Sequence, residues 1–92
     1  MKASDYARIC YEAYRNYLWI SDDKSLIPWQ RLNKKERKPF IDRVDLIFKR
    51  FATGNRQPVP VAPENQLFED LTIAILGTFW DLRVEKFNNK IA

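Results

Sequence analysis

The sequence predicts an all-α fold: a compact bundle of three main helices at about residues 5–20, 34–52 and 64–87. A Pro/Trp turn joins the first two, and a proline-rich connector joins the last two. Three observations predict it. Apolar side chains recur at helical spacing in each segment. No segment sustains the alternation of a strand. Prolines, a glycine and capping residues fall between the apolar runs, where helices begin and end. The 92 residues are read as one domain, 1–92. With 46% hydrophobic and 14% aromatic residues the chain has material for a core and does not resemble a disordered segment.

Ser4 is the expected N-cap of the first helix. Tyr6, Ile9, Cys10, Ala13, Tyr14, Tyr17 and Ile20 share one face, and Arg8, Glu12 and Arg15 lie opposite. Ser21-Asp22-Asp23 is a polar stop. Pro28 drives Ile27 away from helical geometry, so 25–29 reads as a connector.

In the second segment Asn33 and Glu36 have the spacing of a capping box. Pro39 lies too deep for a first turn begun there. Two forms stay open: one kinked helix, or a short turn at 34–38 followed by a helix from Pro39. Phe40, Val44, Ile47, Phe48 and Phe51 then form an apolar stripe, and Gly54 is placed to end the helix in left-handed geometry.

Pro58, Pro60 and Pro63 make residues 55–63 an extended connector. The third helix points Leu67, Phe68, Leu71, Ala74, Ile75, Phe79, Leu82 and Phe87 inward, with Arg83, Lys86 and Lys90 suited to its C-terminus.

Composition argues against an enzyme. Without histidine there is no common acid–base group near neutral pH, no Ser-His-Asp triad and no Cys-His pair. Cys10 is the single cysteine, so neither a disulfide nor an ordinary zinc site can form within the chain. It is read as a packed thiol. Two glycines cannot build a phosphate-cradling loop. Asp42 and Asp45 share a helix face and are read as solvated. No catalytic residue, metal ligand or cofactor is expected.

The net charge of +4 is uneven. Residues 31–56 hold nine basic and three acidic side chains, against four of each in 1–30 and three basic with five acidic in 57–92. The basic set Arg31, Lys34, Lys35, Arg37, Lys38, Arg43, Lys49 and Arg50, with Arg56, is a candidate nucleic-acid surface, with Trp29 close enough to stack on a base. The bland alternative is a solubilising helix start. A second candidate is a partner-binding face on helix one, where Arg8, Tyr11 and Arg15 form an outer stripe beside Glu12, with Trp29 near it. Trp19, Trp29 and Trp80 are read as core, with an aromatic cage as the alternative.

Two stretches resemble known families. Trp29-Gln-Arg-Leu-Asn-Lys-Lys-Glu-Arg-Lys-Pro-Phe-Ile-Asp42 resembles the start of the third helix of HMG boxes, which implies minor-groove DNA binding and bending. Pro28 interrupts the helix that would lead into Trp29, and no basic N-terminal strand with a wedge residue is visible, so this is read as convergence. Ala7-Arg8-Ile-Cys-Tyr-Glu12-Ala-Tyr-Arg15, then Leu26-Ile-Pro-Trp29-Gln-Arg-Leu32 and Arg37, resembles small phage and prophage proteins of the ryanodine-receptor-repeat (RyR) type. That family usually carries a histidine where Tyr11 stands. The resemblance implies a phage origin, a nucleotide-like ligand in some relatives, and Glu12, Arg15 and Trp29 as contact residues.

The expectation is therefore a small non-catalytic binding protein. It is read as phage-encoded, acting on a host protein in the bacterial cytoplasm as an inhibitor of a defence or regulatory system. Nucleic-acid binding through 31–56 and capture of a nucleotide-type ligand between helix one and the Trp29 turn are the alternatives. A homo-oligomer stays open. No signal peptide or membrane-spanning segment is expected.

Overall fold

The structure is a computed structural model that describes residues 2–55 and 60–91, with side chains through residue 82. Its order is α1 (Ala3–Ile20), a 3-10 turn (Trp29–Arg31), α2 (Lys34–Ala52), a second 3-10 turn (Pro63–Asn65) and α3 (Gln66–Ile91). No strand occurs among the described residues. The three-helix, all-α prediction is met. No helix among the described residues is long and apolar enough to cross a membrane. Arg56 and Pro58, and the side chains of Arg83, Lys86, Phe87 and Lys90, lie outside the described residues.

Helix α1 starts earlier than Ser4 predicts. Lys2 is the N-cap, and its backbone N–H donates to the Asp5 carboxylate at 2.8 Å. The buried face is also rotated from the expected one. Ala7, Cys10 and Tyr11 are buried, whereas Tyr17 is half exposed and Ile20 is 85% exposed. Tyrosine is amphipathic, so spacing alone does not say whether Tyr11 or Tyr17 turns inward.

Helix α2 begins with the predicted capping box. The Asn33 side chain accepts from Glu36 N at 2.8 Å, and Asn33 N donates to the Glu36 carboxylate at 3.1 Å. The helix runs unbroken through Pro39, so of the two forms left open the split one is excluded. It ends as predicted at Gly54, which has φ +80. There Asn55 N donates to Arg50 O and Gly54 N to Phe51 O, each at 2.9 Å, closing a Schellman motif.

Helix α1 packs against both α2 and α3, and these touch each other less. Val44, Ile47 and Phe51 meet Ala7, Cys10 and Leu76 in the centre. Aromatic rings extend this core in edge-on pairs, Tyr11–Phe40 at 4.9 Å and Phe40–Phe68 at 5.3 Å. Helix α3 turns Phe68, Glu69, Thr72 and Leu76 inward, while Ala74 and Leu82, expected inside, are exposed. Its apolar residues are spread around the axis, so no single stripe marks the buried face.

Candidate functional site

The Trp29 turn is held between the first two helices by side chains that the sequence offered as partner-binding. Extended Pro28 delivers Trp29 into the 3-10 turn. The Trp29 N–H donates to Glu12 Oε1 at 2.8 Å, and Arg15 Nε donates to Glu12 Oε2 at 2.9 Å. Tyr11 Oη donates to the Ile27 carbonyl at 2.6 Å. From the other side Arg37 Nη2 donates to the Trp29 carbonyl at 2.9 Å, and its guanidinium lies 5.2 Å from the Trp29 ring centre.

This lock corrects the outer-face placement. Tyr11 is 1% exposed and Trp29 is 5% exposed, so neither ring presents a surface. Glu12 and Arg15 pair with each other at partly buried positions. Burial pushes the Glu12 carboxyl up. The Trp29 N–H, the Arg15 hydrogen bond and the charges of Arg15 and Arg8 outweigh it and leave the group below the ordinary range. Burial likewise pushes the Tyr11 hydroxyl up, with the Glu12 charge adding to it. A ligand seated directly on Tyr11, Glu12 and Arg15 against the Trp29 turn would have to break these bonds. Of the helix-one candidates, Arg8 alone is exposed.

The basic set divides in two. Lys38 pairs with Asp42 at 2.6 Å and Lys49 with Asp45 at 2.8 Å, each one turn away on α2. That also accounts for the Asp42/Asp45 face as ion-paired. Arg43 forks onto Glu69, with Nε to Oε2 at 2.7 Å and Nη2 to Oε1 at 2.6 Å, joining α2 to α3. The Glu69 hydrogen bond raises the Arg43 guanidinium above its ordinary value, against the opposing effect of burial. Arg50 is likewise engaged. In contrast Arg8, Arg31, Lys34 and Lys35 are exposed and make no ion pair among the described residues.

Arg8 and Lys34 face one cleft of about 360 Å³ with Arg37. Its other walls are Ser4 and Asp5 from the start of α1, Trp29 and Gln30 from the turn, and Ile41 from α2. The first turns of α1 and α2 both reach this cleft, each capped by its own acid, Asp5 or Glu36. Asp5 is the one acid in the wall, and its carboxylate already accepts from Lys2 N. The cleft thus joins Arg8 from one predicted surface to Lys34 and Arg37 from the other. Sequence reasoning placed them on separate surfaces, because only the folded turn brings residues 8 and 34 together.

The remaining expectations concern tryptophan and cysteine. Trp80 is partly buried against Phe48, with ring centres 5.7 Å apart. Trp19 departs from its expected core position: it is 52% exposed, with the Lys24 ammonium 4.7 Å from its ring centre. Cys10 is packed as expected, and burial pushes its thiol to about 11, with Thr72 pulling the other way. That contact falls short of hydrogen-bond geometry, and Thr72 Oγ1 is buried without a partner.

Fold and site together define a three-helix bundle with a cationic cleft between α1, the Trp29 turn and α2. No family model matches the chain, and no curated protein or solved structure is found similar to it.

Proposed function

We propose that this chain is a non-catalytic binding protein that engages the phosphate backbone of a nucleic acid at the cleft between α1, the Trp29 turn and α2. The observation that carries this reading is the set of unpaired cations. Arg8, Arg31, Lys34 and Lys35 make no ion pair among the described residues, and Arg8 and Lys34 converge on one cleft with Arg37. Lys38, Arg43, Lys49 and Arg50 are engaged within the fold, so the interface is narrower than the whole 31–56 segment. Buried Trp29 cannot stack on a base, and recognition through phosphates alone carries little sequence information.

A second reading rests on a different observation. Tyr17, Trp19 and Ile20 are exposed at the C-terminal end of α1. Aromatic residues of this kind anchor protein interfaces. Together with the RyR-type resemblance, they support a phage-encoded protein that inhibits a host protein in the bacterial cytoplasm.

One experiment separates the two. Binding of labelled 20-nucleotide single strands and duplexes is measured by anisotropy as salt is raised, with wild type and with Lys34→Glu/Lys35→Glu. The nucleic-acid reading expects a log–log salt slope of about −3 to −4 on duplex, since about four phosphates are neutralised. It also expects affinity to fall at least tenfold in the charge-reversed variant. Absence of binding at low salt, or binding indifferent to the reversal, rejects it. A bacterial protein captured on the wild type despite nuclease, and lost on Trp19→Ala/Ile20→Ala, moves the assignment to the end of α1.

A further inference from the structure

A second cavity lies beside Phe40 and shares no lining residue with the cationic cleft. It holds about 400 Å³, within the size range of small-molecule sites. Tyr14, Leu26, Phe40 and Phe68 form its apolar walls, and the Arg43–Glu69 pair forms its polar one. Tyr14 and Phe40 both meet Phe68 edge-on, at 5.4 and 5.3 Å, so the aromatic walls are held in fixed orientations. Walls of that kind favour a flat ring in an offset or edge-on arrangement.

The polar wall limits the ligand further. Glu69 is 1% exposed, and both its oxygens accept from Arg43, so the pair is close to neutral as a unit. A guanidinium carries five N–H donors. Two are used on Glu69, and Arg43 has no other acceptor among the described residues. The wall therefore offers spare donors without net positive charge. A carboxylate ligand would meet the Glu69 charge beside its own. A cation would meet the Arg43 charge beside the Glu69 oxygens. We infer that this cavity binds a small, neutral, planar aromatic molecule bearing a carbonyl acceptor, with the ring among Tyr14, Phe40 and Phe68 and the carbonyl on Arg43.

The test is an NMR titration of the full chain with three one-ring probes: benzamide, benzoate and toluene. Benzamide is expected to saturate with a Kd on the order of 1 mM, as suits a fragment of its size. Its largest shifts are expected at the amides of Tyr14, Leu26, Phe68 and Glu69. Benzoate and toluene are each expected to bind at least fivefold more weakly. Asn65→Trp, a change at an exposed rim position, is expected to abolish the benzamide shifts. Equal or tighter binding of benzoate overturns the neutral ligand, and equal binding of toluene overturns the role of Arg43. Absence of saturation by benzamide, or shifts that map elsewhere, overturns the site. The shift map decides this even if the rim variant fails to fold.

Discussion

Both carboxylate oxygens of Glu12 are used, one by the Trp29 N–H and one by Arg15, so a single side chain fixes where the turn sits on α1. Burial alone would raise this group, yet its donors and the neighbouring arginines hold it below the ordinary value of 4.5. The folded chain therefore keeps Glu12 ionised more readily than the unfolded chain does. Its contribution to stability is complete above pH 4.5 and is lost as pH falls from there through the depressed folded value. Thermal unfolding followed between about pH 5 and pH 3 should show a steeper fall for wild type than for Glu12→Gln. Parallel curves would mean that the carboxylate does not hold the turn. Tyr11 and Trp29 are the residues whose roles a sequence cannot assign. Each suits a binding surface or a core, and the choice depends on whether the Tyr11 hydroxyl and the Trp29 main chain find partners across the fold.

At the scale of the element, α2 has both ends written into local sequence. Asn33 and Glu36 satisfy the first N–H groups reciprocally, and Gly54 takes the positive φ that closes the Schellman motif. Asn33→Ala should lower stability by about 1 kcal/mol in urea unfolding, and Asn33→Ser by much less. Equal losses in the two variants would show that the cap hydrogen bond is not the cause. The course of the helix between these ends was not legible. Pro39 removes one donor, which disfavours a helix without forbidding it, and packing of Phe40 and Val44 offsets that cost. The buried faces of α1 and α3 differ from those the spacing predicts, for a related reason. Helix α1 has aromatic residues on two sides, and α3 is apolar nearly all round, so periodicity selects no unique face.

For the molecule as a whole, the Arg43–Glu69 fork is a polar link between α2 and α3, and its partners are unequal. The Glu69 side chain is 2% exposed and that of Arg43 is 26% exposed. Arg43→Met would strand a buried carboxylate, whereas Glu69→Leu leaves a guanidinium that can still reach water. Urea unfolding should therefore show a loss of about 3 kcal/mol for the first change and a smaller one for the second. The double variant should recover most of the difference. A larger loss from Glu69→Leu would mean that the arginine is the costlier group to leave unpaired.

Helix number, approximate boundaries, the caps of α2 and the concentration of positive charge in residues 31–56 could all be read along the chain, because each depends on neighbours within a few positions. The lack of histidine and the single cysteine narrowed the chemistry in the same local way. Which cations remain unpaired could not be read so. Lys38 and Lys49 find acids one turn away, but Arg43 finds Glu69 26 residues later, and Arg8 meets Lys34 only because Glu12, Tyr11 and Arg37 hold the intervening turn in place. Helix faces and charge pairing across elements are set by three-dimensional packing, where burial makes most polar groups find a partner at whatever sequence distance one is available.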